Sequence, residues 1–239
     1  MFLSIIIPAY NESSIIEDTL NKVNSFLSSK DFKSEIILIN DGSTDDTKEI
    51  VTLYAKNNLN LKIIDLPHQG KGVAVKKGML SSKGKWTFLC DADLSMSIDQ
   101  LDKFLTEIQE DPSVDIIIAN REHKKSNRFK EPKIRHYLGI CFNAVVRTFI
   151  LNNFYDTQCG FKLFKNSTTS KIFKIQRIKG FCFDVEILYL ATKLNKKIKE
   201  IPVDWEYNTN SSVGIINGSV AFSDILLILI YRILRKYKI

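Results

Sequence analysis

Residues 85–93 read KWTFLCDAD and continue as LS, so two acidic side chains follow directly on an apolar run. The run is typical of a strand that is buried on both faces of a parallel sheet. A pair of charges inside such a strand would be costly without partners. Asp91 and Asp93 are therefore expected at the end of the strand, where they face a cleft.

Similar apolar runs recur along the chain, with amphipathic patterns between them. One such pattern begins near Ser13 and carries Ile16, Leu20, Val23 and Leu27 at helical spacing. Strand and helix in alternation predict right-handed βαβ units, hence an α/β fold with a mostly parallel central sheet flanked by helices. The other predicted strands of this sheet are residues 3–10, 35–41, 61–67 and 114–120.

Polar loops follow the first four predicted strands. They read PAYNE (8–12), NDGSTDD (40–46), PHQGKG (67–72) and DADLS (91–95). Ligands of open α/β sheets bind in the crevice at the carboxyl ends of the strands. We therefore expect these loops to line one site, although the residues of any one loop, taken alone, are also those of an ordinary turn.

The acidic pair has two interpretations. In an extended chain the side chains of Asp91 and Asp93 point to one face, so both could reach one cation. Hard oxygen ligands in an open site suit Mg²⁺ or Mn²⁺, held together with nucleotide phosphates. Alternatively, Asp93 or Ser95 caps the helix that follows.

The remaining loops offer nucleotide-binding groups. Asp41 could accept hydrogen bonds from a base or ribose, or could form an Asx-turn. Pro8, Tyr10 and Glu12 could line the same pocket, with Tyr10 as a stacking face.

Cations near the same edge suit phosphates. Lys71, between two glycines at a predicted helix start, could approach a phosphate together with the backbone amides. The spacing does not match the pattern of P-loop NTPases. Arg121 and Arg135 are candidates for bidentate phosphate contacts.

The composition and net charge limit the classes of partner that the protein could bind. The chain has 239 residues, 44% of them apolar and 26% charged, which is typical of a folded globular protein. Its net charge of +7 suits phosphate ligands, an anionic membrane surface or nucleic acid, with basic residues crowded at 121–136 and 232–238. The alternative for each cluster is a solvated surface.

The spacing of the cysteines and the first ten residues indicate the cellular compartment in which we expect the protein. The four cysteines are far apart, show no C-x-x-C pair and are expected to be reduced. The first ten residues have no basic leader and resemble a strand rather than a signal peptide. These features favour the cytoplasm.

Several motifs together resemble the inverting family-2 glycosyltransferases, which have a nucleotide-diphospho-sugar transferase (GT-A type) fold. In the second half, DTQCGFKLF (156–164), FDVEILYLA (183–191) and IPVDWEY (201–207) resemble the polyprenyl-phosphate branch, above all dolichyl-phosphate glucosyltransferases. The first-half motifs are SIIIPAYNE (4–12), ILINDGSTDDT (37–47), GKGVAVKKGM (70–79), FLCDADLS (88–95) and IIIANR (116–121).

The resemblance implies transfer of glucose from UDP-glucose to a lipid phosphate, and it implies roles for individual residues. Ser95 replaces a glutamine of the mannosyl relatives, and Ser212 precedes Val213 where relatives often have Ser-Lys. Lys162 is then a candidate for the basic contact to the acceptor phosphate. The implied roles are uridine binding for Pro8, Tyr10, Glu12 and Asp41, nucleotide binding for Lys71 and Asp91, metal binding for Asp93 with Asp91, and phosphate binding for Arg121, Arg135 and Ser212.

The acceptor decides whether a base is needed. A lipid phosphate is already an anion at neutral pH and needs none. A saccharide acceptor, as in surface polysaccharide synthesis, would need a carboxylate to take its proton, for which Asp156 is the candidate. Pairing of Asp156 within its turn is the alternative. A nucleic-acid-binding module is the rival from another class, but no RNA-binding motif is present, so no nucleic-acid partner is expected.

The sequence divides into a catalytic domain, 1–218, and a C-terminal amphipathic helix, 219–239. The longest apolar run there, Ile225 to Tyr231, has seven residues, far short of the ~20 that span a bilayer. The helix either packs on the domain or lies at a membrane interface with its basic residues toward anionic headgroups. With a lipid acceptor, we expect a peripheral protein on the cytoplasmic face of a membrane.

Overall fold

The structure is a computed structural model that describes residues 1–207 and 217–238. Within these residues, seven strands form the main sheet in the order β3-β2-β1-β4-β7-β5-β8. All neighbours are parallel except β7, which is antiparallel to both β4 and β5. The predicted mostly parallel sheet is confirmed.

The elements alternate along the chain as the sequence indicates. The strands are β1 (Leu3–Ala9), β2 (Ser34–Asn40), β3 (Leu61–Asp65), β4 (Trp86–Leu89), β5 (Ile116–Asn120), β6 (Asn127–Phe129), β7 (Lys162–Lys165), β8 (Ile198–Pro202) and β9 (Asp204–Glu206). The helices are α1 (Ile16–Ser28), α2 (Thr47–Lys56), α3 (Lys71–Ser81), α4 (Leu101–Glu110), α5 (Lys133–Phe149), α6 (Asn166–Ile175), α7 (Phe183–Lys193) and α8 (Asn217–Ile233), with a 3₁₀ turn at Ile98–Gln100.

Helices cover both faces of the sheet, because the central strands are apolar on both sides. Every residue of β1 is buried. One face packs against α1, α2 and α4, with Leu20 and Phe104 in its core. The other packs against α3, α6, α7 and α8, with Val75 and Leu188 in its core. The sheet therefore forms the middle layer of a three-layer α/β structure.

Strand β4 is shorter than the sequence suggests. It ends at Leu89, and the amide of Leu94 donates to the carbonyl of Asp91 at 3.3 Å. The chain turns there, with Leu94 at φ +43°. The expectation that an extended chain points Asp91 and Asp93 to one face is therefore wrong, although both residues do follow the strand.

The basic stretch 121–136 is partly ordered into secondary structure. It contains β6, which pairs in parallel with β9 in a small second sheet. The polar stretch thus contributes a short strand between β5 and α5. A strand of three residues is too short to show a periodic pattern in the sequence.

The C-terminal helix packs on the rest of the protein. Helix α8 starts at Asn217 and ends at Ile233, so it begins two residues and ends six residues before the limits expected from the sequence. Ile225, Ile228 and Tyr237 belong to the core beneath the sheet. None of the described helices combines the length and apolar character needed to cross a lipid bilayer.

Candidate active site

The loops after β1 and β2 are tied to each other. The amide of Asn11 donates to Ser43 Oγ at 3.0 Å, and the amide of Thr44 donates to Asn11 Oδ1 at 2.8 Å. The amide of Glu12 donates to Thr47 Oγ1 at 2.9 Å. These contacts bring the PAYNE and NDGSTDD motifs together at the carboxyl edge of the sheet, as the sequence predicts.

Asp41 is buried and organises the third loop. Its carboxylate accepts hydrogen bonds from the amides of Gln69, at 3.0 Å, and Gly70, at 2.9 Å. His68 packs beside it and stacks on Tyr10, with ring centroids 4.1 Å apart. One face of Tyr10 is thus covered by His68. Pro8 is buried within β1, directly before this cluster.

Lys71 forms an ion pair with Asp91. The distance from Lys71 Nζ to Asp91 Oδ1 is 2.6 Å. Burial acts most strongly on the pKa of Asp91 and raises it, but Lys71, Lys162 and Arg121 outweigh burial and lower the pKa of Asp91 overall. Asp91 is therefore a carboxylate surrounded by cations.

The two glycines beside Lys71 serve packing. The amide of Gly72 donates to the carbonyl of Lys179 at 2.8 Å, and the amide of Gly70 is engaged by Asp41. A Cβ atom at Gly72 would lie 2.5 Å from the carbonyl oxygen of Ile178. The expectation that these amides meet a phosphate does not fit this geometry, so Lys71 remains the phosphate candidate here.

Asp93 and Glu12 form an acidic corner of the cleft. Asp93 accepts hydrogen bonds from the amide of Ser95 at 3.0 Å and from its hydroxyl at 2.8 Å. Burial, followed by the negative charge of Asp93, raises the pKa of Glu12 to about 7. Burial acts most strongly on the pKa of Lys71 and lowers it, but Asp91, Asp184 and Asp93 together outweigh burial and raise this pKa. The carboxylates therefore share one cleft.

The donor chemistry of this corner suits a hard divalent cation. Carboxylate oxygens are the ligands that Mg²⁺ and Mn²⁺ prefer. No group of three or more His, Cys, Asp or Glu side chains that could hold a metal occurs within residues 1–207 and 217–238. Mg²⁺ commonly binds through one or two carboxylates and takes its other ligands from phosphates and water.

Arg121 is locked to Asp156. The buried carboxylate of Asp156 accepts from the backbone amide of Arg121 at 2.9 Å, from its Nε at 2.7 Å and from its Nη2 at 2.8 Å. Burial is the largest influence and raises the pKa of Asp156, but Arg121 reverses it and the pKa is lowered. Such a carboxylate is a poor proton acceptor, which favours the pairing interpretation of Asp156 over the role of a base.

The other residues predicted to bind the acceptor phosphate lie in different environments. The guanidinium of Arg135 lies over the ring of Tyr207, 5.0 Å from its centroid. Lys162 is fully buried in β7, where its Nζ is 2.5 Å from Asp184 and also contacts the carbonyl of Cys159. The structure therefore does not bring Lys162 to the surface of the cleft. Ser212 lies outside the described residues.

Sequence reasoning missed several residues of the site. Asp184 is buried in α7 as the partner of Lys162, and an acid inside the apolar run FDVEILYLA was the available signal. Gly160 leaves room for the carboxylate of Asp91, which a Cβ atom there would overlap. The ring of Trp205 lies beneath Arg121, with its centroid 5.4 Å from the guanidinium carbon. No local pattern in the sequence indicates this contact.

Comparison with known proteins agrees with this architecture. The sequence model of glycosyl transferase family 2 matches residues 4–173. The chain therefore belongs to glycosyl transferase family 2, as its motifs indicated.

Individual proteins similar to this chain have names that are more specific than that of the family. The chain is 35% identical to dolichyl-phosphate beta-glucosyltransferase from Dictyostelium discoideum, over 100% of this chain and 77% of the relative. It is 33% identical to a Trichomonas vaginalis protein of that name, over 100% and 76%. For the Saccharomyces cerevisiae protein the identity is 34%, over 96% and 74%.

Solved structures share the GT-A fold. Mannosyl-3-phosphoglycerate synthase from Rubrobacter xylanophilus matches with a TM-score of 0.74 at 13% identity, over 100% of this chain and 76% of that one. Glucosyl-3-phosphoglycerate synthase from Mycobacterium tuberculosis, in complex with Mn²⁺, UDP-glucose and phosphoglyceric acid, matches with a TM-score of 0.70 at 14% identity, over 97% and 79%. At these identities the likeness concerns the fold.

Proposed function

We propose that the protein transfers glucose from UDP-glucose to dolichyl phosphate or a related polyprenyl phosphate, with inversion at the anomeric carbon. The observation that carries the proposal is that Lys71, in an ion pair with Asp91 at 2.6 Å, and Arg121, in an ion pair with Asp156, both lower the pKa of Asp91 and therefore lie near it. Two cationic side chains in one cleft suit a reaction that joins two phosphate-bearing substrates. The names of the full-length relatives support the choice of glucose and of the lipid.

The chain's own residues would hold the two substrates. Lys71 would bind the diphosphate of the donor, with the uridine in the pocket of Tyr10, Glu12 and Asp41. Arg121 and Arg135 would hold the acceptor phosphate, which attacks as an anion and needs no base. The engagement of Asp156 by Arg121 therefore favours the lipid phosphate over a saccharide acceptor.

A divalent cation, Mg²⁺ or Mn²⁺, fits the acidic corner. Asp93, with Asp91, would hold it there. When bound, the ion would neutralise the charge that develops on the leaving diphosphate. Lys71, which is ion-paired with Asp91, would contribute a positive charge to the same diphosphate.

Helices α5 and α8 supply a surface for the membrane that carries the acceptor. Ile134 and Tyr137 of α5 are 70% and 65% exposed, and Leu226 of α8 is 58% exposed. The helices meet where Phe142 and Phe222 stack edge to face, with centroids 6.2 Å apart. Apolar side chains of this size, flanked by exposed basic residues, are typical of helices that lie in a bilayer interface. The proposed location is peripheral, on the cytoplasmic face.

The test is release of UDP from UDP-glucose with Mn²⁺ or Mg²⁺, with and without a short polyprenyl phosphate. We expect release to require both the metal and the lipid in the wild type, and to fall at least about a hundredfold in Asp93→Asn. Asp99→Asn, an exposed acid in the following 3₁₀ turn, is the matched control and should retain activity. Release that a saccharide supports and the lipid does not would overturn the assignment of the acceptor.

A further inference from the structure

The N-terminus of α3, which carries Lys71, rests on the backbone of residues 176–182. The amide of Gly72 donates to the carbonyl of Lys179 at 2.8 Å. The buried side chain of Gln176 donates from Nε2 to the carbonyl of Gly72 at 2.9 Å. A Cβ at Gly70 would lie 2.6 Å from the carbonyl oxygen of Lys179. The position of Lys71 is thus set by contacts with this segment on both of its flanking residues.

The 176–182 segment has little regular structure of its own and is held from the side by a buried carboxylate. Glu186 of α7 is fully buried. It accepts hydrogen bonds from the amides of Arg177, at 2.9 Å, and Ile178, at 2.8 Å. A buried carboxylate is tolerated when such donors surround it. Glu186 therefore fixes the course of the segment just before it reaches Gly72.

The C-terminal part of the chain holds the same segment at further points. The hydroxyl of Tyr237 donates to Glu186 Oε1 at 2.8 Å, and Arg177 Nη2 donates to the carbonyl of Lys236 at 3.0 Å. From α8, Asp224 accepts a hydrogen bond from the amide of Cys182 at 3.2 Å. Both ends of the segment are thus fastened to residues 224–237.

We propose that the 176–182 segment positions Lys71 for the donor diphosphate, and that residues 224–237 influence nucleotide binding through this segment. Gln176, Glu186 and Tyr237 are then positioning residues, since each acts through Lys71 without touching the nucleotide. The inference rests on the proposed function only in assigning Lys71 to a nucleoside diphosphate. It gives the C-terminal helix, whose outer face is apolar, a second role at the catalytic cleft.

The experiment measures the dissociation constant of UDP in the presence of Mn²⁺ by calorimetry on the full chain. Gln176→Leu removes the donor to Gly72 and keeps a similar volume, so we expect UDP binding to weaken by about fivefold or more. Tyr237→Phe, a milder change that keeps the ring, should weaken it by about two- to fivefold. In turnover, both variants should raise KM for UDP-glucose and leave KM for the lipid phosphate unchanged.

Matched controls separate positioning from general destabilisation. Gln100 is a buried glutamine that makes hydrogen bonds to both backbone groups of Asp204 at 2.6 and 2.7 Å. Gln100→Leu should lower the melting temperature as Gln176→Leu does, yet leave UDP binding unchanged. Tyr54→Phe in α2 removes the hydroxyl of a half-buried tyrosine on the other face of the sheet, and should also leave UDP binding unchanged.

A double-mutant cycle decides whether the effect passes through Lys71. We expect Gln176→Leu to weaken UDP binding no further when Lys71→Met is already present. An effect of full size in the Lys71→Met background, or no effect of Gln176→Leu and Tyr237→Phe in the wild type, would overturn the inference alone. A wild type that binds no UDP would overturn the proposed function and this inference with it.

Discussion

Three lysine and arginine side chains in and beneath the cleft each have a carboxylate partner. Lys71 pairs with Asp91, Arg121 with Asp156, and Lys162 with Asp184, at 2.6, 2.7 and 2.5 Å. Buried charges are tolerated when they are paired and hydrogen-bonded. The pairs of Lys71 and Arg121 lie at the cleft, where a phosphate could contact the cations. The Lys162 pair is buried beneath them.

At the residue scale, the Arg121–Asp156 pair makes a stability prediction. Asp156→Asn leaves the guanidinium without its counter-ion in a buried place, so the free energy of unfolding should fall by about 3–5 kcal/mol. Denaturant unfolding measures this. Asp18→Asn, which removes a partner of an exposed pair on α1, should change it by less than about 1 kcal/mol. Equal effects of the two substitutions would contradict the account.

The same pair predicts how stability depends on pH. The pKa of Asp156 lies below its ordinary value of 3.8. A carboxyl whose folded-state pKa is lowered stabilises the protein above the unfolded pKa, and this contribution is lost as pH falls through the folded-state pKa. The difference in unfolding free energy between wild type and Asp156→Asn should therefore be constant above about pH 5 and shrink below about pH 4. A difference that grows in acid would contradict this sign.

The residue types of the cleft were predictable, but many of their partners were not. Asp41, Lys71, Asp91 and Asp93 follow apolar runs, and strand ends meet at one edge of a parallel sheet. The contact of Trp205 with Arg121 depends on the pairing of two three-residue strands far apart in the sequence. Such contacts arise from tertiary packing and leave no periodic signal.

At the element scale, helix α3 packs against the sheet through a glycine. A Cβ atom at Gly78 would overlap Ile6 Cγ2 and lie 2.6 Å from Ile39 Cδ1. The glycine therefore sets the distance between α3 and strands β1 and β2. Because α3 carries Lys71 at its start, this packing also helps to fix the position of Lys71 relative to the sheet.

Gly78→Ala and Gly139→Ala should consequently act in opposite directions. Alanine at position 78 overpacks the contact with the sheet, so the free energy of unfolding should fall by about 1–3 kcal/mol. Gly139 lies in α5, and no atom of a neighbouring residue lies within 4 Å of the place that an alanine methyl group would take. Alanine there should therefore stabilise by up to about 1 kcal/mol. Thermal or denaturant unfolding of both variants compares them. Stabilisation by Gly78→Ala would show that the contact is looser than described.

The long elements followed from periodicity, and the short ones did not. Strands β1, β2, β3 and β5 contain Ile and Leu runs, and β4 contains Trp86, Phe88 and Leu89; such apolar runs fit a parallel sheet that is covered on both faces. Strands β6 and β9 have three residues each, too few to show alternation. Strand β4 ends at Leu89 rather than at the acidic pair, because the chain turns at Asp91 to Leu94 and Asp93 lies inside this turn.

At the scale of the whole molecule, the exposed apolar faces of α5 and α8 lie side by side. Arg232 Nη1 of α8 donates to the carbonyl of Phe149 at the end of α5, at 3.2 Å. Exposed basic residues follow at 235, 236 and 238. The two helices therefore form one surface, whose inner side is attached to the catalytic core and whose outer side suits lipid.

Vesicle binding tests this surface. The double variant Tyr137→Ser and Leu226→Ser should bind vesicles containing anionic lipid at least about tenfold more weakly, since transfer of a large apolar side chain out of water contributes about 1.5–3 kcal/mol. Flotation of protein with the vesicles measures binding. The control is Leu59→Ser, whose side chain is fully exposed in the turn after α2 and should not matter. Equal loss with the control would place the membrane contact elsewhere.

The central claim is that a lipid phosphate accepts glucose in this cleft. The most direct measurement is isolation of the lipid product formed from UDP-glucose, with the anomeric configuration determined by NMR. The account predicts a β-linked glucosyl phosphate that forms with wild type and Asp99→Asn and is absent with Asp93→Asn. An α-linked product, or glucose transferred to a saccharide with the lipid left unchanged, would contradict it.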